Sequence, residues 1–66
     1  MNIKVLSFDV DEYQKESLDR LSDQELYNIS REDKNVLIWD SLKVFQECMN
    51  SNLVDTENRF IYFINL

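Results

Sequence analysis

The chain has 66 residues, of which 13 are acidic and 7 basic, with no histidine and a single cysteine, Cys48. That length holds one domain near the lower limit for folding alone, and the cysteine and histidine counts exclude an internal disulfide and a structural zinc site. A net charge of −6 lacks the basic footprint that direct nucleic-acid binding needs, and its plain role is to keep a small protein in solution.

Glycine and proline are absent as well. Without glycine, phosphate-cradling loops and dinucleotide fingerprints are excluded, because both need close backbone approach. Turns of positive φ fall to Asn or Asp, and Asn28, Asn35, Asn50, Asn52 and Asn58 stand at or near the expected breaks. No apolar run approaches the roughly 20 residues of a membrane span. The opening MNIKVLSFDV lacks the basic region, apolar run and cleavage site of a secretory signal. A cytoplasmic protein that does not enter membranes is expected.

In chain order, Ile3 to Val10 reads as a strand, with Leu6, Phe8 and Val10 on one face and Ile3 and Val5 on the other. Tyr13 to Leu21 reads as a connection holding a turn or two of helix. The strongest local signal is LSDQEL: Ser22 and Glu25 have capping-box spacing, and Leu21 and Leu26 are placed as the hydrophobic staple. Asp23 suits the positive end of the helix dipole. A helix from Asp23 to about Arg31 follows, with Leu26 and Ile29 turned to the core. Val36 to Trp39 is a short strand or the start of a helix, and its β-branched residues lean towards the extended form. Asp40 or Ser41 then caps a helix whose apolar face is Leu42, Phe45 and Met49. In the closing RFIYFINL, Phe60, Tyr62 and Ile64 face one way, and Ile61 and Phe63 the other. Apolar residues on both faces predict an internal strand.

The expected fold is α+β, a single domain over residues 1–66, with the two terminal strands antiparallel and packed against two helices. Helices on one face leave the other to the Tyr13 region or to a second copy. Trp39, Ile61 and Phe63 are therefore a candidate apolar interface, and a homodimer through the C-terminal strand is expected.

Each candidate for chemistry has a plainer reading. Asp9 and Asp11, followed by Glu12, have the spacing of a magnesium-binding pair, but solvated carboxylates closing a strand account for them. Cys48 has no histidine to activate it and reads as a packing residue. Trp39 reads first as core and second as a binding anchor. Asn28-Ile29-Ser30 matches a glycosylation acceptor by chance. No catalytic residue, metal or cofactor is expected. Seven acids between Asp9 and Glu25, namely Asp9, Asp11, Glu12, Glu16, Asp19, Asp23 and Glu25, form the one charged feature of note. Carboxylates three and four apart on a helix lie about 5–6 Å apart, near the spacing of phosphates along a nucleic-acid strand, so such a surface could occupy the basic groove of a DNA-binding protein. An ordinary solvated face is the plainer reading.

The order LSDQELYNI, WDSLKVFQECMN and FIYFI resembles that of small acidic accessory proteins carried on mobile elements and phages of gut anaerobes. Ser22, Asp23 and Glu25 match that family's helix start; Ser41, Leu42, Phe45 and Asn50 match its second helix; Phe60 to Ile64 match its ending. The resemblance covers about two thirds of the chain, though Trp39-Asp40 departs from the family's aromatic before the serine. It implies a mobile-element origin and a protein-binding role, and transfers no catalytic residue. The expected function is a non-catalytic interaction module that modulates a larger, basic protein through its acidic surface. The alternative is a structural subunit of a homo-oligomer that needs no outside partner.

Overall fold

Ile3–Asp9 forms the first strand, β1, and its alternating side chains are buried to both sides. Val5, Leu6, Ser7 and Phe8 all have 0% exposure. The structure, a computed structural model, describes residues 2–66. Two more strands, β2 (Leu37–Trp39) and β3 (Arg59–Asn65), flank β1 in an antiparallel sheet ordered β2-β1-β3. The register sets Val5 opposite Trp39 and Phe63, Leu6 opposite Ile38 and Tyr62, and Ser7 opposite Leu37 and Ile61. Residues directly opposite share a face. One face therefore carries Leu6, Phe8, Phe60, Tyr62 and Ile64, and the other carries Val5, Ser7, Trp39, Ile61 and Phe63.

Helices cover both faces. The short α1 (Lys15–Asp19) and the longer α2 (Asp23–Glu32) bring Leu18 and Leu26 onto Leu6, Phe8 and Ile64, and Val36 closes that core. Phe8 sits edge-on to both Tyr13 and Tyr62, at centroid distances of 5.2 and 5.7 Å. The third helix, α3 (Leu42–Asn50), crosses to the opposite face over β1 and β2. There its Phe45, 3% exposed, stands edge-on to Trp39 at 5.0 Å and to Phe63 at 6.2 Å.

The fold is α+β, with both terminal strands in one antiparallel sheet packed against helices. Two expectations are corrected. The second face is covered by α3, not left to the Tyr13 region or to another copy, and Tyr13 belongs to the first core. The closing strand is an edge strand: β1, whose apolar positions are more completely enclosed, holds the centre, and β3 needs two-sided apolarity only because its inner half is roofed on both faces. Leu42 and Met49, expected in the core with Phe45, keep 38% and 42% exposure.

The turn chemistry fits a chain without glycine. The Ser22 hydroxyl accepts from the Glu25 N–H at 3.2 Å and the Glu25 carboxylate accepts from the Ser22 N–H at 3.0 Å, so the capping box is complete. Ser41 caps α3 by accepting from the Val44 N–H. At the other end of α3, the Leu53 N–H donates to Cys48 and the Asn52 N–H to Met49, the paired bonds of a Schellman ending. Asn52 takes the left-handed position, with φ 56°, and is alone in doing so among the described residues. Replacing Asn52 with Ala should cost about 1 kcal/mol of stability, because a Cβ-bearing residue without a local hydrogen bond is strained there. Asn52→Gly should be neutral or stabilising; urea denaturation of the two variants checks the pair.

Candidate interaction surface

An edge strand exposes backbone groups as well as side chains, and the pairing of β3 shows which. The Val10 N–H donates to Asn58 and the Leu66 N–H to Asn2, so even-numbered residues of β3 face β1. By the alternation of antiparallel ladders, Arg59, Ile61, Phe63 and Asn65 turn their N–H and C=O groups to the outer edge. The Asn65 N–H is met by the Asp23 carboxylate at 2.8 Å, from the first turn of α2. Among the described residues, no side chain meets the amides of Ile61 and Phe63. The opposite edge, β2, is only three residues long, which by itself limits pairing there.

The three residues expected as an apolar interface fall on one face of the sheet, but in different states. Trp39 is half-buried against Phe45, so packing is its main role. Ile61 is half-buried, and Phe63 is 59% exposed. Ile3, at 37% exposure, lies on the same face as Phe63 at the same end of the strand pair. Phe45 of α3 touches one side of the Phe63 ring, and the rest of that ring is open.

The acidic residues do not form one continuous helical stripe. Glu12 precedes α1, Glu16 and Asp19 lie on it, and Asp23 and Glu25 open α2 after the turn at Arg20. Four of the seven have work within the chain. Asp9 accepts from the Asp11 N–H at 2.7 Å and lies 4.0 Å from Arg59. Asp19 accepts from the Tyr62 hydroxyl at 2.5 Å and pairs with Lys15 at 3.0 Å. Asp23 caps the β3 edge, and Glu25 completes the capping box. Asp11, Glu12 and Glu16 are exposed, and among the described residues nothing donates a hydrogen bond to their carboxylates.

The most constrained polar cluster was not legible in advance. Ser7 is completely buried in mid-strand, and its hydroxyl accepts from the Arg59 Nε at 2.6 Å. The same guanidinium donates through Nη2 to the Ser7 carbonyl at 2.7 Å and to the Asn35 carbonyl at 3.0 Å, in the turn before β2. Arg59 thus ties β3 across β1 to the start of β2. The available signal was a serine inside an apolar run and an arginine opening an aromatic one. Only the strand register puts them side by side.

Two tyrosine–carboxylate bonds add a pH dependence. The hydrogen bond to Asp33, with burial, pushes Tyr13 up to about 12, and the same bond holds the Asp33 carboxyl below its ordinary value. Burial and the bond to Asp19 likewise push Tyr62 up to about 12, and that bond with the Lys15 ammonium lowers Asp19. A depressed carboxyl stabilises the fold above its ordinary 3.8, and that contribution is lost as pH falls through the lowered value. A raised phenol stabilises below its ordinary 10.0, and the contribution is lost as pH rises towards 12. The urea midpoint should therefore be flat through neutral pH and fall at both ends. Changing Tyr13 and Tyr62 together to Phe should lower the plateau and flatten the alkaline fall. Separately, Arg59→Met should destabilise by about 2 kcal/mol, since it orphans a buried hydroxyl and removes hydrogen bonds from a charged donor.

A search of protein-family models, of curated proteins and of solved structures finds no match to this chain.

Proposed function

We propose that this protein is a non-catalytic interaction module that makes its contact through the outer side of β3. The observation that carries this reading is a seven-residue edge strand whose Ile61 and Phe63 combine outward backbone groups with a partly open apolar strip. Natural edge strands are blunted by brevity, proline, bulges or charge. β3 has no proline, and its single charged side chain, Arg59, is folded inward onto Ser7. Only its far end, at Asn65, is guarded by Asp23. A partner that adds a strand gains main-chain hydrogen bonds for affinity and side-chain pockets for specificity.

The acidic surface is the second reading, supported by the free carboxylates of Asp11, Glu12 and Glu16. It would act by occupying a basic groove on a larger protein, with fast, salt-sensitive association. With four of the seven acids engaged inside the chain, it has fewer charges to offer than the sequence suggests.

Capture of partners by tagged protein from an extract of the cells that make it, at low and at high salt, separates the two. The β3 reading expects a partner that survives high salt and is lost with Phe63→Lys, while Glu12→Gln/Glu16→Gln leaves it in place. A partner held only at low salt, and lost with the glutamine pair but not with Phe63→Lys, would overturn it. Because Phe63 is mostly exposed, Phe63→Lys should keep the far-ultraviolet circular dichroism of the parent, which confirms that the fold is intact.

A further inference from the structure

We infer that the strand added to β3 is β3 of a second copy, antiparallel and centred on Ile61, joining two three-stranded sheets into one. The inference rests on the β3 reading above and names its partner.

The argument begins with which groups are free. Arg59, Ile61 and Phe63 offer outward N–H and C=O groups, whereas the Asn65 N–H is already held by Asp23. An antiparallel neighbour bonds in narrow pairs, each exchanging two hydrogen bonds. With the two-fold axis at Ile61, the narrow pairs are Ile61 with Ile61 and Arg59 with Phe63, taken twice. About six hydrogen bonds form, and the outward groups of Arg59, Ile61 and Phe63 all find partners. An axis at Tyr62 sets Arg59 against Asn65, and an axis at Phe63 sets Ile61 against Asn65. Both call on the amide that Asp23 occupies.

Charge favours the same arrangement. Cross-strand neighbours become Ile61–Ile61, Arg59–Phe63 and Phe60–Tyr62, so no like charges oppose each other. The single charged side chain of the strand, Arg59, stays turned onto Ser7, so the two guanidinium groups do not meet across the seam. In a chain of net charge −6, β3 is a strand without an acidic residue, so pairing it with its copy opposes no carboxylates along the strand.

Area sets the strength. A standard interface removes about 800 Å² from each partner, roughly a sixth of the 4812 Å² this chain exposes. A strip of five residues, about 17 Å long, with Phe63 as its one large exposed side chain, falls short of that. The pairing is therefore weak and concentration-dependent, in the class of interfaces below about 1,200 Å² in total.

Single cysteines placed in a Cys48→Ser background test the register. Opposed Ile61 Cα atoms in a narrow pair lie about 5.5 Å apart, within disulfide range, whereas the two Phe63 positions are offset by four residues, about 13 Å, beyond it. Under oxidised glutathione at high protein concentration, Ile61→Cys should form a covalent dimer several-fold faster than Phe63→Cys. The parent chain should sediment as a monomer when dilute and approach twice its mass as concentration rises. Preferential linking through Phe63→Cys would overturn the register. A parent that stays monomeric up to about 1 mM, with neither cysteine linking, would overturn self-pairing. In that event, a partner captured from extract and lost with Phe63→Lys leaves the β3 reading standing, and indifference to Phe63→Lys removes both. Matching melting temperatures of the two cysteine variants and the parent keep misfolding out of the comparison.

Discussion

Burial of β1 on both faces is the constraint on which the rest of this small fold depends. With no disulfide, no metal-binding cysteine–histidine set and no glycine or proline to stiffen or sharpen turns, the chain is held by packing. Val5, Leu6 and Phe8 are fully enclosed, each contributing roughly 1.5–3 kcal/mol relative to exposure. Enclosing both faces needs helices on both sides, which explains why α3 crosses the sheet after β2 instead of joining α1 and α2. It also explains why β1 is bonded at both edges while its neighbours are not. A sheet of three strands has two edges, and here the shorter falls to β2 and the longer to β3.

The same enclosure creates a polar problem and its solution. Ser7 lies in the buried middle of β1, where an unmet hydroxyl is expensive. Arg59 meets it from β3 and reaches on to the Asn35 carbonyl beyond. The chain's acids are used in the same local way. Asp33 and Asp19 accept from the hydroxyls of Tyr13 and Tyr62, the two rings that flank Phe8. Asp23 covers one end of the open strand. Four of the seven acids that look like a surface field in the sequence are thus engaged inside the chain, and two of them, Asp19 and Asp23, fasten helices to β3.

Local signals were the legible part. Ser22 and Glu25 marked the start of α2, Ser41 was one of two residues placed to cap α3, and Asn52 stood where a helix without glycine must turn out. Strand periodicity identified β1 and β3 and the faces of Leu6, Phe8, Tyr62 and Ile64. What depended on register or layer order was not legible. RFIYFINL is apolar on both sides, and periodicity cannot separate a central strand from an edge strand roofed over its inner half. Leu42, Phe45 and Met49 share a helical face, yet only Phe45 of the three is buried. The candidate apolar residues lie on one sheet face, and both Trp39 and Phe63 touch Phe45, but Trp39 is half-buried while Phe63 stays mostly open. The link from Ser7 to Arg59 spans most of the chain and appears only once the strands are paired.

A strand bonded at both edges and enclosed on both faces should be the last part of the molecule to open, and hydrogen exchange reads this amide by amide. In dilute solution, the amides of Leu6 and Phe8, bonded to β3, and of Val5 and Ser7, bonded to β2, should exchange only through global unfolding. Those of Ile61 and Phe63, aimed at the outer edge, should exchange orders of magnitude faster. Protection of Ile61 and Phe63 equal to that of Leu6 under those conditions, or rapid exchange along β1, would contradict the account at its centre.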